Sequence, residues 1–143
     1  MVRLSKKTEY ALLAMQYIGG HPDDVVSAKK ISNELNIPYD FLSKTLQGLM
    51  KNGLVSSHQG KAGGYKLAKD SSDISVSDII NAVEEKYAMA IVECFDDKDM
   101  DKCKRVNECT IRGPLRKMQK SIQTVFDTTR LSELIDNFKL KNI

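Results

Sequence analysis

The chain has 143 residues, with 22 Lys and Arg against 19 Asp and Glu, and 41% of it is hydrophobic. This length fits one domain, or one small domain with an extension, and no apolar run is long enough to span a membrane. The N-terminal stretch MVRLSKKTEYALLAM lacks the long apolar segment and the cleavage site of a secretory signal. We therefore expect a cytoplasmic protein with reduced thiols.

The charge is distributed unevenly along the chain. Residues 1–69 hold 10 Lys and Arg against 5 Asp and Glu, whereas residues 70–143 hold 12 against 14. A basic first half favours a polyanionic partner for that half alone. Neither half shows a nucleophile–base pair, a phosphate-binding loop or paired catalytic carboxylates, so the sequence does not predict an enzyme.

Three helices are predicted in the first half. SKKTEYALLAMQYI, residues 5–18, follows a helical apolar spacing, and Ser5 can cap it. SAKKISNELNIP reads as a second helix with Ser27 as its N-cap, and YDFLSKTLQGLMKNG as a third that ends at Gly53. The inward positions of the third helix are predicted to be Phe41, Leu42, Thr45, Leu46 and Leu49. The tight turn between the last two helices indicates a helix-turn-helix.

A β-hairpin is predicted directly after the helix-turn-helix. Leu54–Val55 and Tyr65–Leu67 are short strand candidates around the glycine-rich tip QGKAGG. A hairpin in this position is typical of a winged helix. The predicted fold is therefore mainly α with a small β-hairpin wing, and residues 1–70 form the winged helix-turn-helix DNA-binding domain.

Residues 71–143 are predicted to hold a loop and a long helix. SVSDIINAVEEKY is a helix capped by Ser75 or Ser77, and residues 94–109 show no period and read as a loop. Pro114 then opens a long amphipathic helix. Its apolar stripe comprises Leu115, Met118, Ile122, Val125 and Phe126, and residues 131–138 add Leu131, Leu134, Ile135 and Phe138.

The winged helix predicts contacts with duplex DNA. The second helix of such a motif lies in the major groove, and its exposed face here would offer Tyr39, Asp40, Ser43, Lys44 and Gln47. Phosphate contacts are expected from Lys29, Lys30, Lys51 and Lys61. The wing tip from Gln59 to Gly64, which includes Gly63, lacks bulky groups, so its backbone can approach the minor groove. Alternatively, these lysines form a solvated face of a protein-interaction domain.

All three cysteines, Cys94, Cys103 and Cys109, lie in the polar stretch ECFDDKDMDKCKRVNECTIRGPL. Polar neighbours favour a chemical role over packing. The spacing C-x₈-C-x₅-C contains no tight C-x₂₋₄-C knuckle, which disfavours structural zinc. Thiolates in a loose loop can ligate an iron–sulfur cluster. The thiols can also be inert. Alternatively, they can act as redox sensors, because the neighbouring Lys and Arg residues lower the pKa of a thiol.

Together these stretches resemble the Rrf2 family of bacterial winged-helix transcription regulators, in particular its iron–sulfur sensors. The resemblance lies in RLSKKTEYAL, in FLSKTLQGLMKNGLVSSHQGKAGGYKLAKD, and in the three cysteines followed by TIRGPL. It covers nearly the whole chain. It implies a homodimeric regulator, with a repressor favoured, whose dimer element is the helix from Pro114 and whose operator is palindromic.

The resemblance also implies an iron–sulfur cluster in the loop of about residues 93–110, near the partner's N-terminal helix. Some members carry a His ligand three residues after the last Cys, but that position here is Arg112, which cannot ligate a metal. Other members use a carboxylate at the position of Glu9, so the implied ligands are Cys94, Cys103, Cys109 and Glu9. A 2Fe–2S centre is preferred to a 4Fe–4S centre. The rival interpretations are a cluster-free thiol-switch repressor and a winged-helix protein-interaction adaptor.

Overall fold

The computed structural model describes residues 3–85, 89–95, 103–105 and 107–141. The helices of this part are α1 (Lys6–Gly19), α2 (Ala28–Leu35), α3 (Tyr39–Lys51), α4 (Val76–Val83), α5 (Arg112–Thr128) and α6 (Leu131–Lys141). The strands β1 (Val55–His58) and β2 (Gly64–Leu67) pair antiparallel, with Val55 opposite Leu67 and His58 opposite Gly64. The mainly helical fold with a hairpin wing is as predicted.

Serine side chains start three of the helices. Ser5 Oγ accepts a hydrogen bond from the Thr8 amide at 3.1 Å, and Ser27 Oγ accepts one from the Lys30 amide at 3.1 Å. Ser75 begins α4 in a capping box with Asp78. Each cap satisfies an amide that has no partner within its helix and stabilises by about 0.5–2 kcal/mol. The caps predicted at Ser5 and Ser27 are confirmed, and Ser75 rather than Ser77 caps α4.

The turn between α2 and α3 depends on one left-handed residue. Asn36 has φ 54°, and the Ile37 amide then donates to the Ser32 carbonyl at 3.0 Å. Ser32 Oγ donates back to the Ile37 carbonyl at 2.6 Å. Asparagine tolerates this backbone region better than most residues. Pro38 follows and begins α3.

A single hydrophobic core joins α1 to helices from both halves of the chain. Its fully buried members include Ala11, Ala14 and Met15 of α1, Leu42, Leu46 and Leu49 of α3, Ile79 of α4 and Leu131 of α6. Because α6 supplies part of this core, the C-terminal helix stabilises the winged helix directly. The domain boundary at residue 70 stays a prediction.

Two predictions about individual positions are wrong. Phe41 was expected to face inward, but it is 38% exposed and packs edge-on against Tyr10 of α1, with ring centroids 5.2 Å apart. The helix predicted over residues 75–87 ends at Val83, because Glu84 adopts an extended backbone with φ −106° and ψ 158°. Residues 86 and 87 of that prediction lie outside the described part.

The amphipathic stripe of α5 is only partly covered within one chain. No described side chain of α5 is buried, and Met118 and Val125 are 54% and 60% exposed. Gln123 and Asp127 attach α5 to α4 through Ser77, whose hydroxyl donates to Asp127 Oδ1 at 2.5 Å. None of the helices among the described residues is long and apolar enough to cross a membrane.

Candidate nucleic-acid interface and thiol site

The third helix presents the side chains that the sequence predicts for base contacts. α3 buries Leu42, Thr45, Leu46 and Leu49, and these residues fix which face points outward. On the opposite face Tyr39, Asp40, Lys44 and Gln47 are exposed, while Ser43 is half-buried. A helix held by its apolar face and polar on the other can insert into a major groove. The side chains of Lys44 and Gln47 can hydrogen-bond to base edges.

Four lysines lie at the end of α3 or on the elements next to it. Lys29 and Lys30 lie in the first turn of α2, Lys51 ends α3, and Lys61 lies in the wing tip. All four are exposed, and none of them forms an ion pair with a residue in the described ranges. Unpaired lysine ammonium groups are available for phosphate oxygens.

The glycines of the wing allow close packing of backbone against backbone, a role that was not predicted from the sequence. A Cβ on Gly64 would lie 2.3 Å from the Val26 carbonyl oxygen, and one on Gly63 would lie 2.8 Å from the His58 carbonyl oxygen. Val26 and Tyr65 exchange both backbone hydrogen bonds, at 2.8 and 3.0 Å. The wing is therefore anchored to the segment before α2. The β-branched pair Val25–Val26 was the available signal for this extra pairing.

The three cysteines are free thiols, and each is half-buried. Cys94 lies in the short 3₁₀ turn Glu93–Phe95, whereas Cys103 and Cys109 lie in irregular chain before α5. Within the described ranges, no three His, Cys, Asp or Glu side chains gather into a group that could hold a metal ion. One copy of the chain thus supplies the predicted thiols without assembling them around a centre.

The segment before Cys94 is fixed by α5. The Ile91 amide donates to Gln119 Oε1 at 2.7 Å, and Gln119 Nε2 donates to the Met89 carbonyl at 3.1 Å. The Arg116 guanidinium lies 5.7 Å from the centroid of the Phe95 ring, at the distance of a cation–π contact. No local pattern in the sequence indicates the Gln119 contacts, because they join residues about 30 positions apart.

Glu9 lies at a cleft beside this segment. It is exposed in the first turn of α1, and its Oε2 accepts from Lys6 Nζ at 2.7 Å. This hydrogen bond raises the pKa of Lys6. The cleft has a volume of about 1070 Å³, and Glu9 shares it with Ile91, Ile122 and Phe126. Glu9, the predicted fourth ligand, therefore lines the same cleft as Ile91, three residues before Cys94.

Arg112 stands where some iron–sulfur regulators were expected to have a histidine. It is the first residue of α5, three positions after Cys109. Its Nε is buried and has no hydrogen-bond partner among the described residues. Arginine carries only donors, so it can contact an anionic group but cannot ligate a metal.

Fold and surface together define a winged-helix regulator. The sequence profile of the Rrf2 family, described as an iron-dependent transcriptional regulator, matches residues 4–137. The chain belongs to the Rrf2 family, and it is a DNA-binding transcription regulator. Its relatives are transcription regulators rather than enzymes, which confirms the prediction that the chain is not an enzyme.

Three related proteins illustrate the range of the family. The HTH-type transcriptional regulator IscR of Yersinia pestis is 33% identical over 137 residues, which cover 95% of this chain and 80% of that protein. The solved structure of T. potens IscR has a TM-score of 0.77 at 26% identity and covers 99% of this chain and 91% of the other. CymR, the global cysteine regulator of B. subtilis, has a TM-score of 0.76 at 26% identity, with coverage of 96% and 98%.

Proposed function

We propose that this regulator is a homodimer whose affinity for a palindromic operator is controlled by an iron–sulfur cluster. The cluster would be held by Cys94, Cys103, Cys109 and Glu9. The observation that carries the proposal is the placement of all three half-buried free thiols in the segment between α4 and α5. The regulator would act as a cytoplasmic repressor.

The donor set fits a cluster in kind. Cysteine thiolates, usually four of them, are the ordinary ligands of iron–sulfur clusters, and a carboxylate in the fourth position is a harder ligand that suits a labile, sensing centre. Since the described residues of one chain do not gather these donors, we assign Glu9 to the second copy, as the family resemblance implies. When bound, the cluster supplies the redox and ligand-exchange chemistry of sensing. We favour 2Fe–2S over 4Fe–4S.

The second copy also explains the exposed stripe on α5. An amphipathic helix that leaves Met118 and Val125 more than half exposed has apolar surface to bury against a partner. Two copies joined through this helix present two α3 helices. The spacing of two such helices selects the spacing of the operator half-sites, so a change in that spacing changes affinity.

The cluster is tested by the visible spectrum and by the iron and sulfide content of protein purified without oxygen. We expect a coloured wild type, a colourless Cys103→Ala variant, and an altered spectrum for Glu9→Ala. The control is Glu34→Ala, which removes an exposed acid from α2 and should leave the spectrum unchanged. A wild type that stays colourless and iron-free after reconstitution with iron and sulfide would rule the cluster out.

Operator recognition is tested by binding assays at several salt concentrations, with sites selected from random duplexes. Lys44→Ala and Gln47→Ala should each weaken specific binding by roughly 1–3 kcal/mol. Lys139→Ala, on the exposed side of α6, is the control and should bind as the wild type does. Unchanged affinity in both α3 variants would contradict the assignment of α3. Binding that does not depend on salt would favour the protein-interaction adaptor.

The dimer is tested by sedimentation velocity. Met118→Glu places a charge in the exposed apolar stripe and should shift the protein towards monomer. Lys120→Glu is two positions along the same helix, on its other side, and should leave the oligomeric state unchanged. If Met118→Glu and wild type sediment alike, the dimer surface lies elsewhere.

A cluster-free thiol switch is the second candidate, and the similarity to the B. subtilis cysteine regulator CymR favours it. In that case two of the three half-buried cysteines form a disulfide on oxidation. The protein would be colourless, and its operator affinity would respond to peroxide. The spectrum and the peroxide response together separate the two candidates.

A further inference from the structure

Glu84 connects two regions that a sensing mechanism has to couple. It follows α4 directly and precedes Cys94 by ten residues. Its Oε1 accepts a hydrogen bond from Thr8 Oγ1 at 2.8 Å and another from Ser5 Oγ. Ser5 is the N-cap of α1, and Thr8 lies in its first turn, one residue before the candidate ligand Glu9.

The contact between Glu84 and Thr8 is partly buried and joins distant parts of the chain. Thr8 is 1% exposed, so its hydroxyl depends on a partner from within the protein. Hydrogen bonds to a charged acceptor are stronger than neutral ones. In the described ranges, the Thr8 hydroxyl donates to Glu84 across 76 positions of sequence, which makes this a tertiary contact rather than a local cap.

The C-terminal end of α4, which Glu84 follows, also contacts α3. Asn52 Nδ2, at the end of α3, lies 3.4 Å from the Ala82 carbonyl oxygen. A Cβ added to Gly48 of α3 would lie 2.9 Å from that oxygen. α3 and α4 thus meet with backbone close to backbone. A close-packed contact of this kind transmits a displacement instead of absorbing it.

The first turns of α1 also reach α3 from its other end. Tyr10, two residues after Thr8, packs edge-on against Phe41 in the first turn of α3. Both ends of α3 are therefore in contact with elements that Glu84 holds together. The N-terminal turn of α3 contacts α1, and its C-terminal turn contacts α4.

We propose that Glu84 is a positioning residue that couples the state of the cysteine loop to α3, by holding the first turn of α1 against the end of α4. The proposal rests on the proposed cluster-dependent function. A change at Cys94 shifts Glu84, ten positions earlier in the sequence, and the bonds to Ser5 and Thr8 pass that shift to α1. Without these bonds α1 and the loop move independently, and the operator affinity no longer follows the loop.

The test compares operator affinity in the cluster-loaded and cluster-free protein, prepared with and without iron and sulfide. Glu84→Gln keeps the shape but removes the charge, and Thr8→Val removes the hydroxyl donor. We expect both to reduce the ratio of the two affinities several-fold towards one, from a starting coupling on the order of 5–150-fold. Thr8→Ser, which keeps the hydroxyl, and Asp136→Asn, on the exposed side of α6, should keep the wild-type ratio.

A purely structural role would change both affinities by the same factor and leave their ratio intact, and that result would overturn the proposal. A second readout uses cluster-free protein alone. Amide hydrogen exchange of Thr8→Val should rise in α3 as well as in the first turn of α1, whereas a rise confined to α1 would also overturn it. A wild type whose two states bind the operator equally would refute the sensing function itself. If the cluster-loaded and cluster-free forms of the wild type differ in operator affinity, and both variants keep the same ratio, only the role of Glu84 is refuted.

Discussion

Replacing Gly64 with alanine tests whether the wing glycines serve packing. Gly64 begins β2, and a Cβ there would lie 2.3 Å from the carbonyl oxygen and 2.4 Å from the carbonyl carbon of Val26. Both are backbone atoms, so no rotamer change relieves the clash. The segment of Val26 or the wing has to shift, and the two hydrogen bonds between Val26 and Tyr65, at 2.8 and 3.0 Å, are the contacts at risk.

The expected cost follows from these contacts. Overpacking in a close-packed site costs about 1–3 kcal/mol. Each backbone hydrogen bond that is lost adds about 0.5–1.5 kcal/mol. If both bonds are lost, Gly64→Ala should lower the free energy of unfolding by roughly 2–6 kcal/mol. For a chain of this size, that corresponds to a fall in Tm of roughly 6–18 °C.

Urea denaturation followed by circular dichroism measures this change. Gly113→Ala is the matched control, because a Cβ at Gly113 in α5 would meet no atom within 4 Å. Its stability should stay within about 1 kcal/mol of wild type. If Gly64→Ala is as stable as wild type but loses operator affinity, Gly64 serves DNA approach and the packing argument is refuted.

Three further changes test the core, the turn between α2 and α3, and the attachment of α5. Leu46→Ala removes a fully buried side chain of α3 and should cost about 2–5 kcal/mol in urea denaturation. At Asn36, with φ 54°, Ala should destabilise by about 1 kcal/mol, whereas Gly should be neutral or stabilising; the reverse order would contradict the left-handed turn. Hydrogen bonds from Ser77 and then Gln123 lower the pKa of Asp127 below its ordinary 3.8, so this carboxylate stabilises the fold above its ordinary pKa and loses that effect as the pH falls through the lowered value. The stability difference between wild type and Asp127→Asn should therefore shrink from about pH 5 to pH 2, and a constant difference would refute it.

Local chemistry made several of the helix ends predictable. Ser5 and Ser27 precede apolar periods and cap the helices they were expected to cap. Gly53 adopts the left-handed backbone expected after α3, with φ 73°. These features depend on a few neighbouring residues, and the sequence contains all the information they need.

Features that depend on residues far apart in the sequence could not be predicted from local patterns. Helical spacing placed Phe41 on the inner face, but its neighbour Tyr10 comes from α1, and the pair packs at the edge of the core. The end of α4 at Val83 coincides with a carboxylate at Glu84 that hydrogen-bonds back to α1. Tertiary contacts decided both positions, and no local pattern encodes them.

The cleft beside the candidate ligand Glu9 and the candidate dimer surface are both formed in part by α5. Ile122 and Phe126 of α5 line the cleft that contains Glu9, while Met118 and Val125 of the same helix are exposed. If Glu9 of one copy completes the site of the other, a cluster can be fully ligated only in the dimer. Binding and association are then thermodynamically linked, so each strengthens the other by the same factor. A single chain would leave its thiols apart and its α5 stripe uncovered, as the described residues do.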